Sequence, residues 1–388
     1  MNNKNITSPF SFEMPTKIEY GCGSVAKLPE ILKELGVTKP LFITGSGSTR
    51  KVLLPKVTVH LDNIGMEYAV FDKIEANPKD YNVEEAAKFA VENGTDGIIA
   101  VGGGSPIDAA KAASAIISYG GSLKDYYGRW KVKGPVQPFV VIPTTAGSGS
   151  EVTFSSVITD TTETFKKTVK SQYFGPKVAL LDPDMLVSLP ASITAATGID
   201  ALTHAIEAYS CTVSEPISDA CALYAIELIA ENIRESVFNP TNMEARSGML
   251  IGSTLAGIAF SHSDVASVHC MAEAMGSLYD AAHGVCNAIL LPYVMEYSLD
   301  YAIERYARIG RVMGSKATDD RQAAKDAVEI VKQMVIDIKL PTLSDIGIKK
   351  EDIEKLAEMS EENGSTPSNP RPMTKSEYIE LFNIAIND

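Results

Sequence analysis

The 388 residues, 45% of them hydrophobic, suffice to bury a full core and suggest two domains, or one large domain with a cap. No run of about 18 apolar residues occurs, and the amino terminus MNNKNITSPF has no basic stretch ahead of an apolar one. Neither a membrane span nor a signal peptide is therefore indicated, and the expected location is cytoplasmic. A formal net charge of −14 argues against nucleic acid as a partner, and five cysteines without CxxC spacing read as free thiols.

Short β-branched apolar runs alternate with helical patterns in the first half: PLFIT (40–44), EYAVFD (67–72), DGIIAVGGG (96–104), FVVIPTT (139–145) and VALLD (178–182). Strands separated by helices pair in parallel, because a parallel connection needs a crossover. Within this stretch, GIIAVGGGSPIDAAKA (97–112) runs from an apolar strand through three glycines into an alanine-rich helix. Gly102, Gly103 and Gly104 permit positive φ and close backbone approach, and Pro106 suits a first helical turn. The helix start, with Ser105, offers unpaired amides to a phosphate. Asp108 either complements the helix dipole or helps to hold a nucleotide. The sequence is not GxGxxG, so this turn alone is weak evidence. A second glycine-rich turn, IPTTAGSGSEVT (142–153), follows the next strand and supplies Thr144, Thr145, Ser148 and Ser150 as hydroxyl donors. Two such turns on neighbouring parallel strands converge where open α/β sheets bind ligands, which favours a nucleotide.

Pro183 and Pro190 mark a change of pattern, and from about Ala191 the chain reads as consecutive helices. The expected division is residues 1–190, a dinucleotide-binding α/β domain with a Rossmann-like parallel sheet, and residues 191–388, an all-helical metal-binding domain. Ser192 is the expected N-cap of the first helix. In GIDALTH, Asp200 and His204 are four apart and share one helix face. His269 and His283 follow, the latter before a glycine expected to end or turn a helix. One carboxylate and three neutral imidazoles would leave open positions on a divalent ion acting as a Lewis acid; the competing reading is three satisfied core histidines. Grouping of the set within residues 200–283 favours metal, whereas His60 and His262 read as structural. EENGSTPSNPRPMT (361–374) reads as a surface loop before a last helix.

Together GGGSPIDAAKA, IPTTAGSGSEVT, GIDALTHAIEAY and HGVCNAILLP resemble the iron-containing (group III) alcohol dehydrogenases, over nearly the whole chain. The resemblance implies a Rossmann-like domain, a helical metal domain, a cleft between them, and homodimers or larger homo-oligomers. It implies hydride transfer between a nicotinamide cofactor and a small alcohol or aldehyde. Asp200, His204, His269 and His283 become the ligands of Fe2+, with zinc also compatible. Gly102 to Ser105 become the pyrophosphate loop with Asp108 nearby, and Thr144, Thr145 and Ser148 lie toward the nicotinamide. Lys166 matches a family lysine near the cofactor, with Lys167 one step away.

Two departures stand out. Where many relatives carry a further histidine four residues after the third ligand, this chain has Glu273, expected to face the cleft with a raised pKa and to relay a proton. Where NAD-preferring relatives often place an acid after the first strand, this chain has Gly45, Ser46, Gly47 and Ser48, with Arg50 and Lys51 beyond. An acid there would repel a 2′-phosphate at ~4 Å by about 4 kcal/mol at an effective dielectric of ~20. NADP(H) is therefore expected over NAD(H). The alternatives are glycerol-dehydrogenase-like polyol oxidation and a dehydroquinate-synthase-like lyase, the latter disfavoured by sparse basic residues around 200–283. A sensor without turnover or a metal-independent reductase would be expected to lack a ligand.

Overall fold

The structure is a computed structural model and describes residues 8–387. It divides into two compact units: residues 13–145 with 149–189, and residues 8–12, 146–148 and 190–387.

The first unit contains β1 (Lys17–Tyr20), α1 (Leu28–Glu34), β2 (Pro40–Gly45), α2 (Leu54–Asp62), β3 (Ala69–Ile74), α3 (Asp80–Asn93), β4 (Gly97–Gly102) and α4 (Gly104–Tyr119). It continues with β5 (Gly128–Arg129), β6 (Phe139–Pro143), β7 (Ser155–Asp160), β8 (Phe165–Lys170) and β9 (Val178–Leu181). Six strands form one sheet in the order β1-β9-β6-β4-β2-β3, every pair parallel. All five expected strands lie in it. Their continuous apolar runs follow from burial on both faces, and β4 and β6 are buried throughout. The α4 alanines 109, 110, 112, 113 and 115 are fully buried, small side chains letting the helix pack close to its neighbours.

Two features fall outside the strand expectation. β1 adds a sixth, outer strand with Ile18 and Tyr20 exposed. Between β6 and β9, an antiparallel β7–β8 pair joined by β5 forms a separate three-stranded sheet. The polar FKKTVK strand lacks the apolar run on which the expectation depended.

The second unit is helical among its described residues: α5 (Ala191–Ser210), α6 (Pro216–Phe238), α7 (Met243–His262), α8 (Ser267–Tyr279), α9 (His283–Ser298), α10 (Ile303–Val312), α11 (Asp320–Asp337), α12 (Leu343–Ile346), α13 (Ile353–Glu361) and α14 (Lys375–Asn387). Parallel sheet followed by helices is the fold class expected. α5 is central, and every residue from Gly198 to Ser210 is buried. It starts at Ala191 with Pro190 at the N-cap, so Ser192 is not the cap; the proline's fixed φ suits that entry. No helix among the described residues is long and apolar enough to cross a membrane.

Candidate active site

In the α/β unit, register fixes the two glycine-rich turns at one level, because Val101 pairs with Ile142 and Gly102 with Pro143. Gly102 has φ +156°, and an added Cβ would lie 2.6 Å from Pro106 Cγ. A Cβ on Gly103 would come within 3.0 Å of Thr145 Oγ1. Close packing requires glycine at 102 and leaves little room at 103, and no side chain caps the α4 N-terminus at Gly103. The free amides from Gly104 and Ser105 therefore suit an anion. Thr144 is buried, its amide donating to Gly102 O at 2.9 Å, and Thr145 is half-buried.

Asp108 stands in the second turn of α4 rather than the first, so it does not serve the helix dipole as expected. Its Oδ1 accepts from Ser150 Oγ at 2.6 Å and its Oδ2 from the Val157 amide at 2.9 Å. Beside it the fully buried Lys111 donates to Ser150 Oγ, Thr153 Oγ1 and Ser155 O at 2.8–3.0 Å. Burial pushes the Lys111 ammonium down to about 8. This brace joins α4 to the segment after β6. On β8, Lys166 lies close enough to Asp108 to favour its ionised form, whereas Lys167 pairs with Glu163 at 2.5 Å.

At the end of β2, a Cβ on Gly45 would approach Ile74 O at 3.0 Å, so strand packing itself disfavours an acidic side chain there. Ser46 and Ser48 are exposed, and Arg50 Nε pairs with Asp72 Oδ2 at 3.0 Å on the neighbouring strand.

In the helical unit, Asp200 and His204 project from α5, His269 from the first turn of α8, and His283 opens α9. Asp200, His269 and His283 each present a ligand atom within 4.8 Å of the others. Asp200 Oδ1 is 3.7 Å from His283 Nε2, 4.0 Å from His269 Nε2 and 3.9 Å from His204 Nδ1. His204 thus stands beside the trio, stacked on Phe260 at 4.4 Å and inclined to His269 at 4.3 Å. Burial pushes its imidazole down to about 4, and its buried Nδ1 finds no hydrogen-bond partner among the described residues. For Asp200, burial opposes the charge, but the His204, His283 and His269 rings and the Asn287 amide hold its carboxyl below the usual range. A buried carboxylate with three imidazole rings around it is a donor set that fits a divalent cation.

Gly284 starts a helix rather than ending one: a Cβ there would lie 2.4 Å from Ala196 O and 3.3 Å from Asp200 Cβ, so it lets α9 press against α5. Two residues in this cluster escape the sequence reading. Glu207 accepts from His269 Nδ1 at 2.5 Å, and Asn287 Nδ2 donates to Asp200 Oδ1 at 2.7 Å while lying 3.2 Å from Nε2 of His269 and of His283. The signal was present, since Glu207 continues the Asp200–His204 face and Asn287 follows His283 by one turn.

Glu273 is half-buried, one turn after His269, its Oε2 accepting from Asn363 Nδ2 at 2.7 Å. The 361–374 segment is the expected loop before the last helix, with Glu361, Glu362, Gly364, Pro367, Pro372 and Thr374 exposed, but its middle packs inward. Thr366, Ser368 and Asn369 are buried, and Ser365 and Ser368 donate to Asp264. His262 stacks on Phe12 at 4.0 Å, its Nδ1 2.8 Å from Ile258 O.

Known proteins resemble this chain over nearly all of its length. The family model for iron-containing alcohol dehydrogenase matches residues 15–183, and that for the Fe-containing alcohol dehydrogenase family, C-terminal, matches residues 194–386. A 1,3-propanediol dehydrogenase of Citrobacter freundii is 38% identical over 378 residues, 96% of this chain and 98% of that one. The lactaldehyde reductase of Escherichia coli (strain K12) is 37% identical over 371 residues, 94% and 97% of the respective chains. A crystal structure of a 1,3-propanediol oxidoreductase superposes with a TM-score of 0.95 at 38% identity, covering 97% of this chain and 100% of that one. With both halves matched and the fold in common, the chain belongs to the iron-containing alcohol dehydrogenase family, a family of alcohol dehydrogenases and aldehyde reductases.

Proposed function

We propose that the chain interconverts a small alcohol and its aldehyde, using NADP(H) in preference to NAD(H) and a divalent ion, Fe2+ by family, held by Asp200, His204, His269 and His283. The observation that carries this reading is the buried convergence of Asp200, His269 and His283 beside His204. Zinc fits the same donors and binds nitrogen–oxygen sites more tightly than ferrous iron at equal availability. When bound, the ion supplies Lewis-acid polarisation of the substrate C–O group.

The chain's own groups do the rest. Amides of Gly102 to Ser105 hold the pyrophosphate, with Gly103 and Gly104 letting it approach the backbone. Thr144, Thr145 and Ser148 orient the nicotinamide, and Asp108 with Lys166 steadies this end of the cofactor. When bound there, the nicotinamide would supply hydride to, or accept it from, the substrate carbon. Glu273, held by Asn363, takes the proton released on alcohol oxidation and returns it on reduction; an unchanged rate and pH profile in Glu273→Gln would remove it from this path.

Support for NADP(H) is the lack of an acid at Gly45, with Ser46, Ser48 and the basic Arg50 and Lys51 following; Asp72 offsets part of the Arg50 charge. We also assign the protein to the cytoplasm, and as a homodimer or larger homo-oligomer, for which the outer strand β1 with exposed Ile18 and Tyr20 offers an open edge. Light scattering tests the assembly.

The deciding experiment is anaerobic turnover of short aldehydes with NADPH and NADH, comparing chelator-stripped protein with protein reloaded with ferrous iron or zinc. Activity that returns only with metal and is faster with NADPH supports the proposal. Full activity after stripping overturns the metal assignment, and faster NADH turnover overturns the cofactor assignment.

A further inference from the structure

We propose that Glu207 is a positioning residue that selects the tautomer of His269 and couples metal affinity to the ordering of the first turn of α8. The inference rests on the metal reading above and concerns a residue to which that reading gives no role.

Glu207 is 3% exposed, and all its contacts point at one place. Oε2 accepts the Ala266 amide at 2.9 Å and lies 2.5 Å from His269 Nδ1, while Oε1 accepts the Val268 amide at 2.7 Å. The N-cap residue of α8 is Ala266, which has no side-chain oxygen to serve its own helix. The cap comes instead from α5, through the residue that also faces the imidazole. A carboxylate at Nδ1 retains the proton on that nitrogen, so the lone pair stays on Nε2, the nitrogen directed at Asp200 Oδ1. Carboxylates in this relation to ligating histidines set ring orientation, and their loss typically costs ~10–100-fold in metal affinity.

Asp200, His204 and Glu207 follow each other by four and three residues, so one face of α5 carries two ligands and the support for a third. A carboxylate that served only as a helix cap would have no need to face Nδ1. The two roles are separable by experiment.

The test compares the parent protein with Glu207→Gln and Asp200→Asn. Each is stripped and titrated with zinc against a chromophoric chelator, and amide hydrogen exchange is followed at residues 266–270. The expected result is loss of high-affinity zinc in Asp200→Asn, a ~10–100-fold rise in zinc Kd in Glu207→Gln, and faster exchange at 266–270 in the latter, slowed again on zinc loading. If Asp200→Asn loses zinc while folded Glu207→Gln binds within twofold of the parent, the positioning role is overturned and the metal reading stands. Parent-like zinc binding by Asp200→Asn overturns the metal reading and this inference with it. Should Glu207→Gln fail to fold, Glu207→Asp, which keeps the charge on a shorter stem, is judged by the same titration. A Kd within twofold of the parent, with the carboxylate drawn back from Nδ1, again overturns the role.

Discussion

The two units build their binding surfaces from opposite materials. In the α/β unit the proposed phosphate turn is backbone: Gly102 has no room for a Cβ, Gly103 is tight against Thr145, and the α4 amides are left uncapped. In the helical unit the site is made of side chains from three helices, and the backbone matters only where Gly284 lets α9 approach α5. A backbone site is damaged by adding an atom, whereas a side-chain site is damaged by removing one. Each also leans on buried polar support: the Lys111–Ser150–Asp108 brace in one unit, and Glu207, which faces His269, in the other.

The largest expected effect comes from taking an atom's charge out of the helical site. Asp200→Asn should lower kcat by about a thousandfold or more, since Lewis-acid stabilisation is worth several kcal/mol. Elemental analysis should show metal lost and dinucleotide binding kept. Lost dinucleotide binding with metal retained would reverse the division of labour drawn above.

Removing the brace in the other unit should cost about 3 kcal/mol in denaturant unfolding for Lys111→Met, because it strands buried acceptors and Asp108. Pairing it with Asp108→Asn should recover part of that loss, as neighbours in one network are not additive. The pH dependence has a definite sign. Burial holds Lys111 at about 8 against an ordinary 10.5, so between those values the unfolded chain keeps the proton that the folded one releases. Stability of the parent relative to Lys111→Met should therefore rise from pH 8 to pH 10. A flat difference would mean the ammonium is not perturbed.

Adding one methyl to the backbone site is the next test. Gly102→Ala forces φ +156° on a residue with a Cβ aimed at Pro106, which should cost about 1–3 kcal/mol of stability. Fluorescence titration should show weaker dinucleotide binding, with zinc affinity unchanged. The smallest effect is a control on the whole contrast. Cys22 is exposed, while Cys270 and Cys286 beside the ligand residues are buried, and burial pushes the Cys211 thiol up to about 11. A thiol reagent at pH 8 should label Cys22 first without loss of metal or activity; early labelling of Cys270 or Cys286 would show that the helical site opens.

Read alone, the sequence determined what depends on local pattern. Unbroken apolar runs marked β2, β4, β6 and β9, because strands buried on both faces need no polar alternation. Triple glycine before an alanine-rich helix marked the turn that opens α4, and the spacing of Asp200 and His204 placed them on one face. Only the tertiary structure decided the relations that cross helices and strands. That Glu207 faces His269, that Asn363 reaches back to Glu273, and that Lys111 spans from α4 to Ser155 depend on which elements pack together. The polar β8 and the inward turn at Thr366, Ser368 and Asn369 were illegible for the same reason: their partners, β7 for one and Asp264 and Ser298 for the other, are set by the fold, and no periodicity of their own records them.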